Sequence, residues 1–289
     1  MLQKIPLDIR EVDFMPELDE KNIALLTEVL PNIADQLRAS MAGVYACANR
    51  LAPCEARESD PALDKNAAML ALNCHRALRL VGNLSSAALL ASDSALPTEN
   101  ADAAALCREV AERARALFAL EGVTFKYESE VDSLVIALNS ELFERLLLNL
   151  LSNALKFTKR GGEVTLRVRA TKQNFLVSVS DTGCGIESER LDTLFDRYLD
   201  TARLDPMPHG LGLGLPLCRR IARGHGGSIA AESRVGEGST FTVALPNKKT
   251  DNPTLRDSAR FDYAGGFEHT LLELSDALGS EAFLHKYVD

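Results

Sequence analysis

Residues 149–158 read NLLSNALKFT, and the alternating stretch that follows ends in DTGCGI at residues 181–186. In the first string Asn149, Asn153 and Phe157 recur at i, i+4 and i+8 with Lys156 adjacent. They share one face of a helix predicted over Ser140–Thr158, with Ser140 as its cap. Two Asn among leucines cost stability unless their amides find partners. An Asn carbonyl is a neutral oxygen ligand suited to Mg2+, and a lysine can pair with phosphate. The same spacing also fits a helix whose Asn side chains bond neighbouring backbone. Further on, Val164, Leu166 and Val168 alternate with Thr165, Arg167 and Arg169. After a polar turn Phe175, Val177 and Val179 alternate again, which predicts a β-hairpin.

Outward from this centre, a helix is expected over Ala101–Phe118 and short strands over Thr124–Glu128 and Ser133–Ala137. A helix over Leu215–Arg223 and strands near Ser228–Glu232 and Thr240–Leu245 close the domain at Pro246. Strands and helices are segregated rather than repeated as βαβ units. The fold class is therefore α+β, an α/β sandwich with a mixed sheet packed on helices.

Three more strings carry chemistry. Asp181-Thr182-Gly183-Cys184-Gly185-Ile186 sets two glycines around a small residue at a strand end. There the backbone can approach a ligand closely, and a buried Asp can accept an exocyclic amine. Alone, D-x-G-x-G is a common turn. Leu194-Phe195-Asp196-Arg197-Tyr198 alone is an amphipathic helix end. Gly210-Leu211-Gly212-Leu213-Gly214-Leu215 leads into a helix, where successive N–H groups bind phosphate, although alternate glycines also make a bare flexible loop.

In this order and spacing the four strings resemble the ATP-binding domain of sensor histidine kinases, within the superfamily shared with DNA gyrase, the large heat-shock chaperones and the MutL proteins. NLLSNALKFT is similar to its N box, DTGCGI to its G1 box, LFDRY to its F box and HGLGLGL to its G2 box. The closing HGGSIAAESRVGEGSTFTVALP is similar to the kinase branch, and the resemblance spans about residues 100–246. It implies ATP and Mg2+ as cofactors. By analogy Asn153, with Asn149 beside it, holds Mg2+, Lys156 meets phosphates and Phe157 flanks the nucleotide. Asp181 binds the adenine amine, Gly183, Gly185 and Ile186 form the base pocket, and Thr240 assists there. Phe195 is the F-box ring of a lid over residues 187–214. Gly210, Gly212 and Gly214, with Leu211 and Leu213 between them and Leu215 after them, wrap the phosphates.

A helical hairpin is expected before this domain. One seam runs Ile23, Leu26, Leu30, Ile33, Leu37, Ser40, Val44, Cys47, Leu51, and Pro31 either kinks its helix or restarts it. A second runs Leu63, Ala67, Leu70, Cys74, Ala77, Val81, Leu84, Ala88, beyond the loop Ala52–Pro61. A single hairpin covers both seams poorly, so a homodimer through residues 21–92, forming a four-helix bundle, is expected. The organisation is then an acidic leader (1–20), a hairpin dimerisation domain (21–97, closed by the turn-rich Ser92–Asn100), a histidine-kinase-like ATPase domain (98–247), and a linker with an amphipathic C-terminal tail (248–289).

The hairpin departs from its relatives. Their first helix carries a phosphoacceptor His followed by an acid, roughly S-H-E-L-R-T-P-L. Here Ala34-Asp35-Gln36-Leu37-Arg38-Ala39-Ser40-Met41 puts Asp35 at the acceptor position and Gln36 at the acid. Asn149 stands where gyrase-like hydrolases place a catalytic Glu, and Leu199-Asp200 where kinases often carry an Arg, for which Arg197 or Arg203 can stand in. His75, one residue past the second seam and so expected at the surface, is an alternative acceptor. His209 and His225 read as structural, and His269 and His285 as solvated. Two readings result: a histidine kinase of two-component signalling with a non-standard or absent phosphoacceptor, or a pseudokinase acting as an ATP-gated dimeric regulator or scaffold. A response regulator or other signalling protein is the expected partner.

Composition sets outer limits. The 289 residues, 46% hydrophobic and 25% charged, fit an ordinary globular chain. With 32 Lys+Arg against 41 Asp+Glu the net charge is −9, which disfavours a nucleic-acid grip. No apolar run suits a membrane span or a secretory signal. Six scattered Cys (47, 54, 74, 107, 184, 218) suit a reducing compartment, so a cytoplasmic location is expected.

Overall fold

The computed structural model describes residues 20–91, 96–191, 193–195, 214–251 and 268–288. The leader before residue 20, His209, Arg197, Arg203, Asp200, and Gly210, Leu211, Gly212 and Leu213 lie outside them, as does much of the expected lid.

The alternation read from the sequence builds the sheet. β4 (Glu163–Ala170) and β5 (Asn174–Asp181) pair antiparallel, and Val164, Leu166, Val168, Phe175, Val177 and Val179 are fully buried on one face. β7 (Gly238–Pro246) adds antiparallel to β5 and to β6 (Ser228–Arg234), while β2 (Thr124–Ser129) joins parallel to β4. The order is β2-β4-β5-β7-β6, a mixed five-stranded sheet. Its other face is polar, with exposed ion pairs such as Arg169–Glu130 at 2.8 Å, each worth little in water.

On the apolar face lie α4 (Ala103–Leu120), α5 (Ser140–Phe157) and α7 (Gly214–Gly224). Asn139, not Ser140, caps α5: its side chain accepts from Leu142 N–H at 3.1 Å, and Ser140 is already helical. The Asn139 N–H in turn donates to His225 Nε2 at 2.9 Å, while His225 Nδ1 donates to Ile221 O at 2.8 Å. Burial depresses the pKa of this imidazole, so a neutral His225 stitches α7 to the start of α5. Asp102 caps α4, accepting from Ala104 and Ala105 N–H at 3.1 and 3.0 Å. A short strand, β1 (Glu99–Asp102), pairs antiparallel with β3 (Val135–Leu138) across the end of the expected linker and the expected helix start at Ala101.

Before the sheet, α1 (Glu20–Leu51) runs unbroken through position 31 and packs against α3 (Pro61–Ala91), with a short α2 (Cys54–Ser59) in the connection. Ile33, Leu37, Val44 and Leu51 of the first seam stay exposed, Leu51 at 84%. The second seam is partly covered: Cys74 is buried and Leu70 exposed.

The tail differs most from expectation. α8 (His269–Leu274), a 3-10 turn (Ser280–Phe283) and α9 (His285–Val288) dock in the angle between α3 and α5, burying Leu271, Leu274, Leu278 and Phe283 in the main core. His269 is buried rather than solvated, and its Nδ1 lies 3.3 Å from Glu144, which also pairs with Arg113. His285 Nδ1 meets Asp64 at 2.7 Å. With the tail on one side and the sheet on the other, α5 is buried nearly all round, which explains why its apolar residues do not keep to one stripe.

Candidate nucleotide site

The C-terminal part of α5, the loop after β5 and the start of α7 converge. Asn149 is almost fully buried; its Nδ2 donates to Arg145 O at 2.9 Å and its Oδ1 accepts from Arg79 of α3 at 3.3 Å. A Cβ built on Gly214 would lie 2.9 Å from that Oδ1, so the end of the glycine motif sits against the N-box helix. Asn153, one turn on, is half-buried, as is Lys156, while Phe157 is exposed. The Lys156 ammonium lies 5.5 Å from the Phe157 ring centre, within cation–π range. Burial lowers the Lys156 pKa, Arg79 and Arg76 add to the fall, and Asp276 opposes it. Thus Lys156 feels charges from both the hairpin and the tail.

Asp181 ends β5 at the mouth of this angle. Its Oδ1 accepts from Gly183 N–H at 2.8 Å and Ser239 N–H at 3.3 Å. Among the described residues Oδ2 has no hydrogen-bond partner. Burial pushes the Asp181 pKa up against the pull of those two N–H groups. The following loop presses close to its neighbours: Cys184 N–H donates to Phe157 O at 3.4 Å and Ile186 N–H to Ser233 Oγ at 2.8 Å. Gly185 has φ +70, and a Cβ there would fall 2.0 Å from Arg234 O. Only glycine fits that approach. Phe195 packs edge-on to Phe241 at 6.5 Å, and Leu215 is half-buried against the core.

Thr240 lies on the other face of the sheet from Asp181. Asp181 pairs in register with Ser239, and Ser180 with Thr240. Paired residues in an antiparallel sheet share a face, so Thr240 points away from Asp181 and its Oγ1 donates to Ser180 Oγ at 3.0 Å. Ser239 stands beside the carboxylate, with its Oγ 2.9 Å from Ser233 Oγ. The signal was present: Ser239 shares parity with Phe241, Val243 and Leu245, the apolar face of β7.

The donor set suits a magnesium nucleotide. A half-buried carboxylate with one oxygen unpaired among the described residues fits an amine, and one amide and one ammonium fit a metal–phosphate pair. Among the described residues no group of three His, Cys, Asp or Glu could cage a metal. Mg2+ would then be held by Asn153 together with phosphate oxygens and water, the mode it favours. His75 was expected at the surface, but it is buried. Its Nδ1 donates to Ala71 O at 2.8 Å, Tyr45 and Phe283 pack on its ring, and burial lowers its pKa. Asp35 is exposed and pairs with Arg38 at 2.6 Å.

Residues 139–249 match the family described as histidine kinase-, DNA gyrase B-, and HSP90-like ATPase. This part of the chain is an ATPase domain of that family. Its sequence relatives include sensory and histidine protein kinases. The adaptive-response sensory kinase SasA of Synechocystis sp. (strain ATCC 27184 / PCC 6803 / Kazusa) is 37% identical over 142 residues, 49% of this chain and 37% of the relative. The histidine protein kinase DivJ of Caulobacter vibrioides is 41% identical over 127 residues, 44% of this chain and 20% of the relative. The chain therefore spans well under half the length of these relatives. Among solved structures, full-length ShkA in complex with AMPPNP aligns with TM-score 0.59 and 25% identity, over 79% of this chain and 47% of that one. This last match extends beyond the ATPase domain. Among the described residues no helix is long and apolar enough to cross a membrane.

Proposed function

We propose that the chain is a Mg-ATP-binding, histidine-kinase-like protein of two-component signalling with a non-standard or absent phosphoacceptor. The observation that carries this reading is Asp181: a half-buried carboxylate, fixed through Oδ1 by Gly183 and Ser239 N–H, on the loop that packs against the end of α5, the helix that carries Asn153 and Lys156. AMPPNP on the structural relative ShkA supports a nucleoside triphosphate as ligand. Asn153 ligates Mg2+, Lys156 meets phosphate, Phe157 flanks the nucleotide, and Asp181 accepts the adenine amine within the pocket of Gly183, Gly185, Ile186 and Ser239. A signalling protein such as a response regulator is the partner. All six cysteines lie among the described residues and none forms a disulfide, which supports a reducing, cytoplasmic setting.

Calorimetry on Asp181→Asn tests the pocket. The amide can keep both backbone hydrogen bonds, and it removes a charge whose folded pKa lies above its unfolded value. That charge disfavours folding at neutral pH, so the variant should melt at or slightly above the wild-type temperature. Turning an acceptor into a donor against the adenine amine should weaken Mg-ATP by about 100-fold, the loss of roughly 3 kcal/mol. Asn153→Ala should likewise lose most Mg-dependent binding. Wild-type affinity in Asp181→Asn would overturn the assignment.

The exposed stripe Ile33, Leu37, Val44 and Leu51 supports a homodimer through the hairpin. A charge placed on such a seam is desolvated without a partner, so Leu37→Glu with Val44→Glu should run as a monomer in light scattering while the wild type runs as a dimer. A wild type that is itself monomeric at micromolar concentration would remove the dimer from the proposal.

A second reading, an ATP-gated regulator that transfers no phosphoryl group, draws support from the burial of His75 and from Gln36 in place of an acid. Labelled ATP separates the two: acid-labile label on the protein favours the kinase, and binding without label favours the regulator.

A further inference from the structure

Glu273 of α8 has no exposed side-chain surface, an uncommon place for a carboxylate. It faces two guanidinium groups from distant parts of the chain, Arg145 of α5 at 3.4 Å and Arg79 of α3 at 3.6 Å. Asp276, just beyond the same helix, reaches Arg79 at 2.6 Å. Arg79 in turn holds Asn149 Oδ1 at 3.3 Å, and Asp276 lies close enough to Lys156 to act on its charge. Two acids of the tail thus answer the cations beside the N box, on the ground where an incoming phosphate needs positive charge.

The rest of the tail grips both bodies. On the hairpin side, Arg76 donates to Ser275 O and Leu278 O at 3.1 and 3.2 Å, Arg57 donates to Phe283 O at 2.9 Å, and His285 meets Asp64. On the ATPase side, Gly279 N–H donates to Glu121 at 2.7 Å and His269 meets Glu144. Leu271, Leu274 and Phe283 close the seam between them. A buried ion-pair network adds little net stability compared with apolar packing, and removing one member leaves an uncompensated buried charge that strongly destabilises it. Such a network suits a latch better than a permanent weld.

We propose that residues 268–288 are an autoinhibitory strap. Docked, Glu273 and Asp276 hold Arg79 on Asn149, screen Lys156, and pin the ATPase domain to the hairpin. Nucleotide binding and strap docking oppose each other. The inference rests on the nucleotide site proposed above. Apparent affinity falls in proportion to the fraction of molecules that are binding-competent, so a strap docked in about 99% of molecules weakens ATP about 100-fold.

The full chain carrying Glu273→Gln and Asp276→Asn tests this with two readouts, AMPPNP affinity in Mg2+ by calorimetry and hydrogen exchange over residues 269–283. The variant should bind the analogue at least 10-fold more tightly and exchange faster over the strap. Because coupling is reciprocal, saturating analogue should also speed strap exchange in the wild type. Equal affinities with a freely exchanging variant strap overturn the strap and leave the nucleotide site standing. If the two substitutions leave the strap protected, a chain ending at residue 267, its fold checked by exchange over α5 and β5, makes the same comparison, and equal affinity there also overturns it. Absence of binding in every folded form overturns the nucleotide site and the strap together.

Discussion

Gly238→Ala should lower the thermal midpoint by roughly 10 °C, on a penalty of about 4 kcal/mol in a chain of this size, and abolish Mg-ATP binding. Gly238 has φ +103, and a Cβ there would stand 1.9 Å from the carbonyl oxygen of Asp181 and 2.8 Å from its carbonyl carbon. Both neighbours are backbone in the β5–β7 ladder, so no side chain can swing aside. Relief requires the two strands to part where Ser239 N–H meets the Asp181 carboxylate. If the proposed nucleotide site is right, stability and nucleotide binding therefore fail together. Gly236 is the control, two residues away at φ +83, where an added methyl carbon would meet nothing within 4 Å. There Ala should cost only the left-handed backbone penalty of about 1–2 kcal/mol and leave binding intact. Thermal melts that fall equally for the two variants would mean that φ alone, not close approach, sets the cost at Gly238.

The parts of the fold that were legible in the sequence are those where local pattern and burial agree. Helix Ser140–Phe157 and strands Glu163–Ala170 and Asn174–Asp181 lie within a residue or two of their expected bounds, because each carries a full amphipathic or alternating set. β1 was hidden. Glu99-Asn100-Ala101-Asp102 has no strand propensity, and it is extended because it pairs with β3 while Asp102 caps the next helix. Tertiary context overrides local preference there. At the site, the α5 residues and the 181–186 loop were visible as spacing. Ser239, not Thr240, stands beside the Asp181 carboxylate, a distinction that shows only when strand parity is followed through Phe241. The tail shows a different limit. Its apolar positions were plain, but nothing in them says which groove they fill, and the pairing of Glu273 with Arg79 and Arg145 joins residues far apart in the chain. His75 was misplaced for the same reason: its seam position predicted exposure, and Phe283 from the tail covers it.

Wild-type protein incubated with labelled ATP should carry no label at position 35, and Asp35→His with Gln36→Glu should gain acid-labile, base-stable label. Transfer makes a bond from the acceptor to the γ-phosphorus and breaks the bond to the ADP oxygen, and it needs a positioned nucleophile with help for its proton. A carboxylate is the poorer nucleophile and gives a labile acyl phosphate, and the neutral Gln36 amide cannot serve as base. The substitutions are mild structurally. Asp35 is 71% exposed and paired only with Arg38, a surface pair worth under about 1 kcal/mol, so the double variant should melt within a degree or two of wild type. The restored histidine still has to meet the nucleotide, and the docked strap holds the ATPase domain against the hairpin through Arg79. Label should therefore rise further when Glu273→Gln and Asp276→Asn are added. If the quadruple variant binds Mg-ATP tightly and remains unlabelled, more than the acceptor pair has been lost, and the region of Leu199-Asp200 is the next place to look. Label on the wild type that disappears in His75→Ala would overturn the non-transferring reading. It would place the acceptor on α3, where Phe283 must first leave the imidazole ring, and the reaction would then require the strap to open.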